Sequence, residues 1–508
     1  MKTLNILFFL FVTLTQVSAT EYFVSSTKGN DSNTGTSSTV PWKSIAKVES
    51  KKFQPGDIVN FERGSTWSKA AWEYIFLIKD SGTSTNPITF RAYGNGEKPT
   101  FSNGGQVWNK GIKITADYVI IEDLQVINTG YGGFELSKGA DFNIIKKCEV
   151  SNCGMGILCY GSNNLFTENY IHDLKMIVDN EIPDTQNGGG DFGCVSFWLY
   201  GPKNEVSYNK SVNNRGHSYD YQYDGGFLEF YENCDSTYAH HNWVENGCGI
   251  MEASNGHADN VVVSYNVFIE HLGMFAPHYT LKNFRFENNT CITCEGTTWN
   301  DMFMNPTGMV IRNNIFVFGG KSSKRIATNN NFTHTNNLYY LIDGAKLGSL
   351  VLSKGEKLGN PMFVDEANKD FKLKNGSPAI DAGIGLGHKT DYAGKDLFSG
   401  KAPDMGAFEY ENITGIGMFN HNIDKVFFEV FPNPANQDVN VKVKVVEGQK
   451  IEINLLNLQG LLISSNSFLA GANGLNSFKF PVHGFSNGIY LVSMKNGDES
   501  VVKSFIKK

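Results

Sequence analysis

Two glutamates, Glu229 and Glu252, stand 23 residues apart in short apolar stretches that each open on glycine, Gly225-Gly-Phe-Leu-Glu229-Phe and Gly249-Ile-Met-Glu252-Ala. Ahead of the first runs a segment dense in functional side chains, Arg215-Gly-His217-Ser-Tyr219-Asp220-Tyr221-Gln-Tyr223-Asp224. Two chemistries are open to this set. Carboxyl groups about 5 Å apart can act on a glycosidic bond, one as acid and the other as nucleophile. Carboxylates that close repel, so one pKa rises unless a cation lies between them. With Asp224, the pair Glu229 and Glu252 could instead hold Ca²⁺, which takes several oxygen ligands. The alternative chemistry is proton abstraction beside a carboxylate. There His217 or Tyr223 would serve as base and acid, and Arg215, whose planar fork suits a carboxylate or sulfate, as neutraliser.

Either chemistry needs an architecture that brings position 229 to position 252. A repeat supplies one. Short apolar steps lead into an asparagine at Phe166-Thr-Glu-Asn169, Val206-Ser-Tyr-Asn209, Ala239-His-His-Asn242, Val263-Ser-Tyr-Asn266, Phe286-Glu-Asn-Asn289 and Ile311-Arg-Asn-Asn314. The last three spacings are 24, 23 and 25 residues; the first two, 40 and 33, are one period plus an insertion. Strands at this period, parted by Asn and Gly turns, fit the coils of a parallel β-helix. The pattern of leucine-rich repeats is absent, and propeller blades need about 40 residues each. Coils stack about 4.8 Å apart, and the recurring Asn is expected to bond to its counterpart one coil away.

The insertions fall at the same place in two successive coils, roughly residues 175–192 and 213–225. Insertions on one face of a repeat array mark a binding face. Counting from Gly193, Gly226, Gly249 and Gly273 makes Ser196 the position before Glu229, and Ala276 the one after Glu252. The other candidates for substrate contact are Tyr219, Tyr221, His278, Trp198 and His240, with His240 read as outward and His241 as inward. Trp198 and Trp243 could equally be packing residues. Asp191 is placed at the groove edge with its role open.

The chain has 508 residues, a formal charge of −7 and 19% charged residues. This balance gives no support to a nucleic-acid partner. The start, Met1-Lys2 followed by an apolar run from Leu4 to Leu14 and then Val17-Ser18-Ala19, has the form of a secretory signal peptide over 1–19. Its apolar run is too short to span a membrane. Export permits disulfides; Cys291/Cys294 and Cys148/Cys153 are the nearest pairs, with buried thiols as the alternative.

Further motifs carry resemblances. Tyr22-Phe-Val-Ser-Ser, Pro41-Trp42, Pro55-Gly-Asp-Ile-Val, Pro87-Ile-Thr-Phe-Arg-Ala-Tyr-Gly94, Ser377-Pro-Ala-Ile-Asp-Ala-Gly383 and Asp404-Met-Gly-Ala-Phe-Glu409 together resemble secreted right-handed β-helix proteins acting on polysaccharides. This resemblance spans about residues 21–410 and implies the fold but not the reaction. After a polar break at 411–427, Val430-Phe-Pro-Asn-Pro434, Gly488-Ile-Tyr-Leu-Val492 and Lys503-Ser-Phe-Ile-Lys-Lys508 are joined by period-two alternation. This reads as an antiparallel β-sandwich and closely resembles the type A sorting domain of the type IX secretion system, over 428–508. That resemblance implies secretion or surface attachment through the type IX machinery.

The reading is thus an all-β protein: a signal peptide, a right-handed parallel β-helix over 20–410, a linker and a small C-terminal sandwich. It is expected to be a monomer outside the cytoplasm. The His/Tyr/Arg loop favours β-elimination on a uronate-containing polysaccharide or its oligosaccharides. Glycoside hydrolysis by Glu229 and Glu252 is the alternative, and a non-catalytic glycan-binding or adhesin helix a third reading.

Overall fold

The computed structural model describes residues 19–69, 73–104, 108–182, 190–220, 222–271, 273–292, 301–303, 306–319, 325–327, 331–397, 400–411, 427–444, 450–457, 461–469, 475–496 and 499–508. The expected signal peptide, all but its last residue, and most of the linker lie outside them. The chain divides into two compact units, Met1–Tyr410 and Glu411–Lys508.

In the first unit three long parallel sheets of twelve, eleven and twelve strands run side by side. Each full coil contributes one strand to each sheet, so strands adjacent in a sheet lie about one repeat apart in sequence. Inward positions carry large apolar groups: Phe134, Phe166, Phe197, Phe227, Phe230 and Phe268 are all fully buried. No coil can bury such groups alone, so stacking is what makes the array stable.

The recurring asparagine forms the expected ladder. The backbone N–H groups of Asn169, Asn209, Asn242, Asn266, Asn289 and Asn314 each donate to the Oδ1 of the asparagine one coil on, at 2.8–2.9 Å, ending at Asn337. Each side-chain amide also donates backwards; Asn209 Nδ2 reaches the Phe166 carbonyl at 2.9 Å and Asn242 Nδ2 the Val206 carbonyl at 2.8 Å. The residue just before each of these asparagines, such as Tyr208 (φ 56°) or His241 (φ 56°), is left-handed and turns the corner. A bend buried between coils would orphan backbone groups; the asparagines satisfy them.

Both insertions leave the third sheet and enter the eleven-stranded one. The first folds Met176–Val178 antiparallel to Phe192–Gly193, and the second folds Gly216–Ser218 onto Gln222–Asp224. Here one expectation is corrected. Gly226 pairs with Val195, not Gly193, so the residue in register before Glu229 is Trp198 rather than Ser196. Phe192–Gly193 belongs to the insertion, and the strand proper begins two residues later, at Val195. Ser196 points inward and bonds Ser211 at 2.8 Å.

The segment 377–410 packs along the outside of the third sheet, placing Ala379, Met405 and Ala407 on Val267, Ile292 and Ile315. Cys148, Cys153, Cys159, Cys194 and Cys234 are buried thiols, not disulfides; Cys294 lies outside the described residues. Burial pushes the Cys148 and Cys159 thiols up to about 12. Among the described residues no helix is long and apolar enough to cross a membrane.

The second unit is the expected sandwich. A three-stranded antiparallel sheet (Phe427–Phe431, Asp438–Lys444, Leu475–Pro481) and a four-stranded one (Leu462–Leu469, Lys450–Leu456, Gly488–Asn496, Glu499–Lys507) share a core. Alternation along each strand puts Val439, Val441, Val443, Ile451, Ile453 and Leu455 inside.

Candidate active site

Glu229, on the strand Gly226–Asn233, is the direct register partner of Glu252, on Gly249–His257. Their 23-residue spacing is one coil without insertion. Their inward neighbours Phe230 and Ala253 are fully buried, so the alternation of a strand turns both carboxyls outward. The acidic pair is local: the flanking rungs carry Trp198 and Ala276.

A cavity of about 230 Å³ opens over this pair, lined by Asp191, Tyr223, Asp224, Tyr231 and His278 among others. The two insertions form its wall and are stitched together by one buried carboxylate. Asp191 Oδ2 accepts from Ser218 Oγ at 3.0 Å and from the Asp220 N–H at 3.1 Å, while its Oδ1 accepts from the Asn180 N–H at 2.9 Å. Burial works to raise the Asp191 pKa, but these bonds hold it below the usual carboxylate range. Asp191 is therefore a structural anion at the rim. Asp224 follows, at the point where the second hairpin enters the strand, and accepts from the Gly225 N–H at 2.6 Å. Gly225 is left-handed (φ 105°), and a Cβ there would collide with Cys194. A glycine is thus required to aim Asp224 over the pair.

The three carboxyls differ in environment. Burial pushes Asp224 up to about 7, and the negative charges of Glu252 and Asp191 add to this. Glu229 is driven well above its ordinary value, first by burial and then by Glu252 and Asp224, with the Tyr231 hydroxyl bond opposing. Glu252 accepts from Ser254 Oγ at 2.7 Å and lies 3.1 Å from His278 Nε2. The Glu252 bond in turn raises the His278 pKa. Burial thus favours the protonated form of Glu229, while its neighbour Glu252 has two hydrogen-bond partners.

Other sequence candidates fall elsewhere. His217 is exposed and lies 3.2 Å from both Asp179 oxygens, tying the second insertion to the first, and it does not line the cavity. Tyr219 is exposed against its edge, 4.8 Å away. Arg215 lies with its guanidinium 5.3 Å from the Tyr223 ring, also outside the lining. Tyr221 lies outside the described residues.

His240 was expected outward near the groove; it is instead buried on a different sheet, stacked on Tyr238 and 3.2 Å from Glu205. The corner of the coil separates that sheet from the acidic pair. His241 is buried as well, held to the Asp391 carbonyl at 2.8 Å beneath the 377–410 segment. Trp198 packs against Phe192, Tyr200 and Tyr231 one rung from Glu229. Trp243 packs against Phe371. Sequence reasoning missed Tyr231 and Ser254. Each lies two residues after a candidate glutamate, a spacing that keeps it on the same outward face. Among the described residues no three His, Cys, Asp or Glu side chains gather closely enough to hold a metal ion.

The fold and site define a right-handed parallel β-helix bearing a carboxylate-lined cavity, followed by a small antiparallel β-sandwich. The comparisons agree and are specific to each region. Residues 22–269 match the family model described as Pel9A-like, right handed beta helix region, and residues 429–508 match the secretion system C-terminal sorting domain. The tail places the protein outside the cytoplasm, secreted or at the cell surface. The crystal structure of pectate lyase Pel9A superposes with a TM-score of 0.51 at 16% identity, covering 78% of this chain and 98% of that one. A likeness at this identity shows the fold alone. A lacto-N-biosidase of family GH136 from Eubacterium ramulus aligns at TM-score 0.42 and 15% identity, over 67% of each chain. A 108-residue stretch is 38% identical to a lacto-N-biosidase of Bifidobacterium longum subsp. longum; it covers 20% of this chain and only 6% of that protein's length.

Proposed function

We propose that the β-helix unit is a glycoside hydrolase acting on a neutral glycan, with Glu229 as general acid and Glu252 as nucleophile. The carrying observation is the register pair itself: two outward carboxyls on adjacent rungs in one cavity, in contrasting environments. Adjacent rungs lie about 4.8 Å apart, close to the roughly 5–5.5 Å carboxyl separation of retaining enzymes. In this scheme Glu229 donates its proton to the leaving oxygen while Glu252 attacks the anomeric carbon and forms a glycosyl ester. Glu229, now ionised, then takes a proton from water, which cleaves the ester with net retention. Asp224 raises the pKa of Glu229 by its charge, and His278 and Ser254 orient Glu252.

Electrostatics turns this reading away from β-elimination on a uronate. Four carboxyls line the cavity, Asp191, Asp224, Glu229 and Glu252, against one histidine, His278. Asp191 is held ionised and Asp224 joins it above about pH 7, so such a site disfavours an anionic sugar. Arg215 and His217, the neutraliser and one of the two bases considered for elimination, stand outside the lining, while Tyr223, the other base, lies within it.

The test is incubation with a panel of neutral and uronate oligosaccharides. New reducing ends with retained anomeric configuration by proton NMR support the proposal. An unsaturated product that absorbs in the ultraviolet, or full activity in both Glu229→Gln and Glu252→Gln, overturns it.

A further inference from the structure

Along the outer face of the eleven-stranded sheet, on the N-terminal side of the acidic pair, lies a row of aromatic side chains that the catalytic proposal does not use. Tyr160, Tyr200 and Tyr231 occupy successive coils, with ring centroids 4.5 Å apart between the first two and 5.2 Å between the last two. Trp198 packs against both Tyr200 (5.9 Å) and Tyr231 (5.4 Å), and Phe192 against Trp198 (6.3 Å). Beneath them Met155, Leu158 and Ile177 are buried, forming a small core outside the barrel that holds the rings in place. Tyr231 and Phe192 belong both to this row and to the cavity wall, so the two surfaces are continuous.

The row is not simply apolar. The three tyrosine rings lie against one another along the helix axis. Among the described residues the Tyr160 and Tyr200 hydroxyls have no protein partner, whereas the Tyr231 hydroxyl lies beside Glu229 and Ser254 in the cavity wall. Half-buried phenols with unengaged hydroxyls, repeating along an apolar strip, match a ligand with apolar ring faces and regularly spaced hydroxyls. Lys110 stands at the N-terminal end of the same small core, its Nζ 5.1 Å from the Tyr131 ring, but Tyr160, Tyr200 and Trp198 themselves carry no charge. This part of the strip therefore suits a neutral sugar chain.

We propose that Tyr160 and Tyr200, with Trp198, form subsites for the part of a neutral oligosaccharide extending from the cleavage point toward the N-terminal coils. The proposal rests on the hydrolase reading for the position of that cleavage point. Tyr160 lies two coil steps from the Glu229 coil, or roughly 10 Å along the axis. Binding should thus favour chains several sugars long over short ones.

The experiment uses the full chain carrying Glu229→Gln, so that binding is read without turnover. Isothermal titration with cellohexaose, xylohexaose and mannohexaose, their trisaccharides, and hexagalacturonate identifies the best neutral probe. Tyr160→Phe/Tyr200→Phe is then added, which removes two hydroxyls and keeps both rings. The proposal expects at least one neutral hexaose to bind more tightly than its triose and than hexagalacturonate. It expects the double variant to weaken that hexaose about tenfold, for two lost hydrogen bonds, and the triose about twofold or less. A melting temperature unchanged within a few degrees shows that the strip stays folded. Failure of every neutral hexaose to bind, tighter binding of hexagalacturonate, or an unchanged hexaose affinity in the double variant overturns it. Since the background cannot turn over, a strip that binds while the wild type hydrolyses nothing would sink the catalytic proposal and leave this one standing.

Discussion

Replacing Asp224 by Asn should stabilise the β-helix unit at alkaline pH and do much less at pH 5. The carboxyl has an ordinary value of 3.8 and is raised to about 7 in the folded protein by burial and by the charges of Glu252 and Asp191. Between those values the folded protein keeps a proton that the unfolded chain has released. Stability from this group is therefore fully present below about pH 4 and lost as the pH rises through about 7. Each pKa unit corresponds to about 1.4 kcal/mol. From pH 5 to pH 8 roughly two units are traversed, an upper figure of about 3 kcal/mol. Asp224 is half-buried, so solvent screening reduces this to about 1–2 kcal/mol. Asparagine keeps the shape and the Gly225 bond and removes the titration. Scanning calorimetry of both proteins at pH 5 and 8 is the assay. For a unit of this size 1 kcal/mol moves the melting temperature by roughly 1–2 °C, so the gap between variant and wild type should widen by about 2 °C toward pH 8. A gap that is constant with pH, or that narrows, would refute the placement of Asp224 as a buried group beside like charges.

The same substitution should shift catalysis. Removing the Asp224 charge lowers the pKa of Glu229, so the alkaline limb of the pH–rate profile moves to lower pH; an unmoved limb would separate the two groups. Glu229→Gln and Glu252→Gln should each lower kcat by about 10²–10⁴; the melting temperature should hardly move for Glu229→Gln, which replaces a protonated carboxyl, and should not fall for Glu252→Gln, which removes a charge that repels Asp224 and Glu229. Asn242→Ala leaves the Asn209 N–H and the Val206 carbonyl without their partners; a loss of about 2–4 kcal/mol is expected, seen as a lower melting temperature with little change in kcat. Treatment with a chelator should leave rate and melting temperature unchanged, and a fall in both would restore Ca²⁺ bridging Asp224, Glu229 and Glu252. Denatured without reductant, the protein should titrate at least six thiols, from Cys148, Cys153, Cys159, Cys194, Cys234 and Cys248; fewer would mean that pairing occurs after export.

The parallel β-helix was legible because its repeat is enforced at every coil. The asparagine that satisfies the bend recurs wherever the bend does, so Asn169 through Asn314 announce the period, and two longer spacings announce the insertions. The stacking of Glu229 on Glu252 follows from the same rule, since no insertion separates them. The C-terminal sandwich was legible for a similar reason, since alternation with period two, bounded by Gly and Pro, leaves few other folds; its sorting role was legible only through the resemblance carried by Pro432-Asn-Pro434, Gly488-Ile-Tyr490 and the basic end.

What the sequence could not decide was direction. Counting from Gly193 misplaced the rung before Glu229, because two residues that look like a strand start belong to the inserted hairpin. His217, Arg215 and Tyr219 sit within ten residues of Asp224, yet only the folded hairpin determines that Asp224 and Tyr223 face the cavity while His217 turns to Asp179. His240 was assigned outward by alternation alone, and alternation carries no information about which of three sheets a strand joins or what later covers it. Spacing along the chain thus determines which residues share a rung. The flank they occupy, and the charge state they hold there, come from burial and neighbouring charges that exist only once the coils have stacked.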